Sequence, residues 1–96
     1  MSEAAVFEIL QLHLKVDAAG TRRYYNSEGQ LHRVHGPAVE FLSGERWWYQ
    51  NGELHRTDGP AIISKTGVPS FWLKGEYMTP REYDCAVGYV KRFART

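Results

Sequence analysis

The chain has 96 residues, a formal net charge of +1, 43% hydrophobic residues and 3 Trp, 6 Tyr and 4 Phe. That length suits one domain with a modest core, and the aromatic content excludes a disordered chain. The charge balance excludes an acidic nucleic-acid mimic and gives no strong pull toward DNA.

From Val6 to Val16 apolar and polar residues alternate, with Leu10, Leu12, Leu14 and Val16 on one side and Gln11, His13 and Lys15 on the other. A period of two predicts a half-buried strand, which Asp17-Ala18-Ala19-Gly20 turns. Beyond Gly20 the chain repeats itself. Leu31-His32-Arg33-Val34-His35-Gly36-Pro37-Ala38 returns as Leu54-His55-Arg56-Thr57-Asp58-Gly59-Pro60-Ala61, 23 residues further on. Upstream of these runs, Arg22-Arg23-Tyr24-Tyr25 with Gly29 becomes Arg46-Trp47-Trp48-Tyr49 with Gly52, and Phe71-Trp72-Leu73-Lys74-Gly75 is a degraded third copy. A fixed period of this length marks an array of supersecondary units, each unable to bury its apolar face alone.

Unit one (20–43) reads as strand Thr21–Tyr25, turn Asn26–Gly29, strand Gln30–Arg33, a turn at His35-Gly36 and strand Pro37–Leu42. Unit two (44–66) reads as strand Glu45–Tyr49, turn Gln50-Asn51-Gly52, strand Glu53–Arg56, turn Asp58-Gly59 and strand Pro60–Ser64. Asn-Gly and Asp-Gly are dipeptides that tolerate positive φ in tight hairpins. The first unit carries one extra residue in its hairpin, and the third (67–78) keeps only that hairpin. Thr79-Pro80-Arg81-Glu82 is then a capping box opening a helix over 79–95. Tyr83, Ala86, Val87, Val90 and Phe93 give that helix one apolar stripe, and Lys91, Arg92 and Arg95 sit where its dipole favours cations. The fold class expected is α+β, mainly β: one domain, a twisted antiparallel meander of hairpin repeats capped by one C-terminal helix.

The Leu-His-Arg-x-(Asp or His)-Gly-Pro-Ala runs at 31–38 and 54–61 resemble repeats of small bacteriophage and large-virus proteins. The ending Phe71–Tyr83 looks like the way such arrays close. The period and the Tyr-Tyr…Gly-x-Leu spacing are similar to MORN repeats, a β-hairpin module, although standard MORN repeats lack the His-Arg…Gly-Pro-Ala segment. The likeness covers residues 20–84, about two thirds of the chain. It implies a fold and a phage-like context and brings no catalytic residues.

The residues point away from chemistry. The single Cys85 rules out an internal disulfide and a cysteine zinc site. His32 and His55 fill one slot of two units, which a structural hydrogen bond to a turn carbonyl explains, and no third ligand has metal-like spacing. Asp58 stands where unit one has His35, so it reads as turn chemistry rather than a base. No nucleophile with its base, no paired acids and no phosphate cradle are legible. Neither enzyme activity, cofactor nor metal is expected. Met1 to Phe7 shows no secretory pattern, and no apolar run reaches membrane-spanning length, so a cytoplasmic protein is expected, in the host cell if phage-encoded.

The aromatics carry the functional expectation. Aligned units place Tyr24, Trp48 and Phe71 in one column and Tyr25, Tyr49 and Trp72 in the next, on opposite faces. The first column is expected in the core beneath the helix. Arg23, Trp47 and Ser70 share the far face and change chemistry with each unit, so Trp47 is expected exposed, either as an interaction anchor or as the cover of a small satellite cluster. The expected partner site is Trp47, Tyr25, Tyr49, Arg23 and Arg46, with Arg81, Lys91 and Arg92 of the helix as the alternative. The function expected is a non-enzymatic protein-interaction module, in a phage setting an inhibitor of a bacterial host protein or defence complex, anti-CRISPR-like or antitoxin-like. The competing class is single-stranded nucleic-acid binding along Arg22, Arg46, Arg33 and Arg56 with the aromatics, a field that nearby Glu28, Glu40, Glu45 and Glu53 dilute.

Overall fold

The computed structural model describes Glu3 and residues 12–94, with side chains as far as Gly88. Over residues 12–94 the elements are, in chain order, β1 (His13–Val16), β2 (Arg22–Tyr25), β3 (Val39–Glu40), β4 (Arg46–Trp47), β5 (Tyr49–Gln50), β6 (Glu53–Leu54), β7 (Ile62–Ile63), β8 (Pro69–Leu73), β9 (Glu76–Met78) and the helix Pro80–Ala94. Seven strands form one sheet in the order β1-β2-β3-β4-β7-β8-β9, all pairs antiparallel, and β5-β6 is a separate hairpin. The chain is mainly antiparallel β with one C-terminal helix.

Each unit spends its first strand twice. In unit two, Arg46 and Trp47 pair with both sheet neighbours, while Tyr49 and Gln50 pair with Leu54 and Glu53 in the hairpin. Trp48 is the residue between, and its amide donates to the Ala61 carbonyl at 2.7 Å. Tyr24 does the same with Ala38 at 2.8 Å. Ala38 and Ala61 are fully buried, which explains a small residue in that slot of both copies.

The segment after the first hairpin is not the strand expected at Gln30–Arg33, and of the strand expected at Glu53–Arg56 only β6 forms. Leu31 makes only an isolated bridge to Tyr25. The segment instead becomes an arm that binds the next unit's hairpin. The Gly52 amide donates to the Leu31 carbonyl, the Asn51 amide to His32 Nδ1, and the Arg33 amide to the Tyr49 carbonyl, at 2.9, 3.0 and 3.0 Å. Unit two repeats the set one period on: Gly75 to Leu54, Lys74 to His55 Nδ1 and Arg56 to Trp72, at 2.9, 2.9 and 3.3 Å. Asn51 and Lys74, both at φ 50°, with Gly52 and Gly75 at 81°, give each hairpin the double positive-φ turn that aims its amides at the arm. The histidines therefore accept from a turn amide, in place of the expected bond to a turn carbonyl. Among the described residues no arm precedes the first hairpin. Its extra residue lets Asn26 Oδ1 accept from the Glu28 and Gln30 amides instead, both at 3.0 Å.

Asp58-Gly59 and His35-Gly36 are likewise not positive-φ hairpins. Glycine there leaves room for the arginine guanidinium of the same arm. A Cβ at Gly36 would lie 2.8 Å from the Arg33 guanidinium carbon, and one at Gly59 would lie 2.9 Å from that of Arg56.

The capping box forms as its sequence predicts. The Glu82 amide donates to Thr79 Oγ1 at 3.2 Å, and the Thr79 amide to Glu82 Oε1 at 2.9 Å. That second bond heads the causes holding the Glu82 carboxyl below its usual range. Of the expected stripe Tyr83 is buried and Val87 half-buried, but Ala86 is exposed; Val90 and Phe93 lie outside the described side chains. Of the N-terminal strand, His13–Val16 is present and 6–11 lie outside the described residues. It is not half-buried as expected: Leu14 and Val16 are about half exposed, at 49% and 56%. It is the edge strand, and the described cover on that face begins at Tyr24.

Gly59→Ala is expected to destabilise the protein by ~2 kcal/mol in a urea titration, because its methyl displaces the guanidinium that covers Trp48. Gly88→Ala, whose Cβ meets nothing within 4 Å, should instead leave stability unchanged or raise it by up to ~1 kcal/mol, as alanine does in a helix.

Candidate interaction site

Opposed residues of an antiparallel pair share a face, so the register sorts the side chains directly. One row reads Lys15, Arg23, Val39, Trp47, Ile62, Ser70, and the next, on the opposite face, reads Val16, Arg22, Glu40, Arg46, Ile63, Pro69. The first row is the face where the partner site is expected. Arg46 is not on it. The expected constellation is therefore divided: Trp47, Arg23, Tyr25 and Tyr49 belong together, and Arg46 lies behind them, 5.7 Å from the Trp48 ring.

Trp47 is half-buried rather than exposed. Its ring meets Phe41 edge-on at 5.0 Å and lies 6.5 Å from Tyr49, and its Nε1–H donates to Glu45 Oε2 at 2.8 Å. Val39, which it faces across the strands, is almost wholly buried. Trp47 thus covers a satellite cluster while leaving part of its surface to solvent. Burial pushes the Tyr49 hydroxyl pKa up. Along the same face, Lys15 Nζ sits 5.5 Å from the Tyr25 ring centre. Arg23 pairs with Asp17 at 2.9 Å, and that hydrogen bond is the main reason the Asp17 carboxyl titrates below its usual range. At the far end Trp72 packs edge-on against Tyr77 at 5.6 Å.

The opposite face is the structural one. Arg33 lies over the Tyr24 ring at 4.3 Å and Arg56 over Trp48 at 4.0 Å. Each anchors by NH1 to a proline carbonyl of its own arm, Pro37 at 3.2 Å and Pro60 at 3.0 Å. Each guanidinium also meets one carboxylate, but from a different slot. Arg33 takes Glu40 on the sheet at 3.2 Å, and Arg56 takes Asp58 on the arm at 2.8 Å. The exchange between Asp58 and His35, read in sequence as turn chemistry, is matched by the exchange of Glu40 for Ile63. Arg33 Nε is left buried without a hydrogen-bond partner.

Unit three has no arm arginine, and the helix supplies the substitute. Tyr83 packs on Phe71 at 4.6 Å, accepts from the Gly59 amide at 3.0 Å and donates to the Arg56 carbonyl at 2.8 Å. The helix alternative for partner binding is described only at Arg81, which is exposed; Lys91 and Arg92 lie outside the described side chains. A groove of about 710 Å³ opens between the helix and the last hairpin, walled by His55, Asp58, Met78 and Val87 among others. Among the described residues no group of three or more His, Cys, Asp or Glu is placed to hold a metal ion, and no helix is long and apolar enough to cross a membrane. Compared with family models, curated proteins and solved structures, the chain matches none.

Trp48→Ala is expected to cost ~3–5 kcal/mol, because it removes a buried ring and leaves Arg56 over a void. Trp47→Ala should cost ~1–2 kcal/mol, the worth of a half-buried ring with one hydrogen bond. Chemical denaturation of the two variants checks the order.

Proposed function

We propose that this chain is a non-enzymatic protein-interaction module whose contact surface is the face bearing Trp47, Tyr49, Phe41, Tyr25 and Arg23. One observation carries the reading: a half-buried aromatic cluster centres on Trp47, whose equivalent positions in the other units hold Arg23 and Ser70. The arms keep Leu-His-Arg and Gly-Pro-Ala in both copies, and the opposite face keeps an aromatic ring beneath each arm arginine, because each has a packing duty. The row with Trp47 changes from unit to unit. Large aromatic rings bordered by cations bury much area at low entropic cost, which is the composition of binding hot spots.

The partner in this reading is a protein. The likeness to phage and viral repeats supports a bacterial host protein, blocked by occupation as an anti-CRISPR protein blocks its target. Nucleic-acid binding is less favoured on a specific ground. Of the four arginines that a stacking groove would use, Arg33 and Arg56 are held against Tyr24 and Trp48, facing carbonyls and carboxylates of their own chain. Only Arg22 and Arg46 are exposed, and they lie on the face away from Trp47.

Capture from a bacterial lysate identifies the partner, and variants then locate the contact. Tyr25→Ala with Trp47→Ala is expected to keep the native circular dichroism and weaken partner binding at least ~30-fold, about 2 kcal/mol. Arg46→Ala should bind as the parent does. Full binding by the double variant, with loss on Arg46→Ala or Arg81→Glu, would move the contact to the opposite face or the helix.

A further inference from the structure

We propose that His55 is a proton-operated latch: its neutral imidazole holds the turn of the last hairpin on the arm of unit two, and protonation releases that turn. The bond that does this is unusual for a histidine junction, because the ring accepts rather than donates. The Lys74 amide donates to His55 Nδ1 at 2.9 Å. Nδ1 must therefore carry a lone pair, which puts the single proton of the neutral ring on Nε2. Adding a second proton places N–H against N–H at hydrogen-bond distance. No rotation of a backbone amide relieves this, since Lys74 is fixed at φ 50° inside a two-residue turn.

The surroundings set the direction of the response. Lys74 stands on the hairpin turn, Glu53 on β6, Asp58 on the arm beyond Arg56 and Glu76 on β9; the described helix residues in the same groove, Ala86 and Val87, are uncharged. Burial first, and then the Lys74 charge, pull the His55 pKa below its ordinary 6.5, with Glu53 opposing. A histidine whose folded pKa is depressed stabilises the fold fully above the unfolded value. That stabilisation is lost as pH falls below 6.5 and through the folded value. The latch is closed at neutral pH and opens in acid.

Opening is local. His55, Lys74 and Glu76 all wall the groove beside the helix, so release of the Lys74 turn widens that groove. The Leu54 carbonyl bond to Gly75, the Arg56 amide bond to Trp72 and the pairing of β8 with β7 stay in place.

The test is hydrogen exchange of the Lys74 amide in the intact chain, corrected for intrinsic rate, alongside the NMR titration of the His55 ring. Between about pH 7.5 and about pH 5 its protection should fall about three- to tenfold, the equilibrium worth of one net hydrogen bond, with the midpoint of the fall at the His55 midpoint. His55→Asn keeps an acceptor oxygen near the Nδ1 position and cannot titrate, so its Lys74 protection should stay flat over that range. Protection that is indifferent to His55 protonation in the parent chain overturns the proposal. So does an equal fall in His55→Asn.

Discussion

The guanidinium groups of Arg33 and Arg56 rest over the rings of Tyr24 and Trp48, and the placing of nearly every other repeated slot follows from that contact. A cation taken from water is costly unless its charge and its N–H groups find partners. Here the proline carbonyl, one carboxylate and the aromatic face supply them for all but Arg33 Nε, and a ring at this distance contributes ~1–2 kcal/mol when desolvated. The arm must run close over the sheet for the guanidinium to reach the ring. Gly36 and Gly59 allow the approach, and Ala38 and Ala61 return the chain to the sheet beneath it. The same arm presents a carbonyl, an imidazole nitrogen and an amide to the next unit's turn. One element thus closes its own unit and carries the next.

That division of labour explains both ends of the array. The first hairpin has no arm before it among the described residues and satisfies its turn through Asn26. The last has no arm of its own, and Tyr83 takes the arginine's place over Phe71 while tying down the arm of unit two. The helix is therefore a specific lid for one aromatic ring. With one face occupied by arms and lid, the row through Arg23, Trp47 and Ser70 is left free to differ from unit to unit.

The period, the hairpin turns and the helix start are legible in the sequence because each is written locally: identical residues 23 apart, Asn51-Gly52, and Thr79 with Glu82. The arms are not. Patterning treats arginine as a surface residue, which sets Arg33 and Arg56 beside Arg22 and Arg46 as a nucleic-acid groove and makes Gln30–Arg33 a strand. The coincidence of Arg with Gly three residues later in both copies is the available signal. The exposure of Trp47, though not its face, is misjudged from the sequence for another reason. Alternation tells which face a side chain takes, but not that Phe41 and Glu45 wait there to hold it. Grouping Arg46 with Trp47 overlooks that adjacent strand residues point apart, and the register separates them.

The central claim is that the arm arginine is bound to its ring rather than merely near it. A double-mutant cycle of Arg56→Met and Trp48→Leu, read by chemical denaturation, measures that directly. The account predicts that the two losses fail to add by ~1 kcal/mol or more, since removing either partner ends the same contact. Losses that add to within ~0.3 kcal/mol would contradict it.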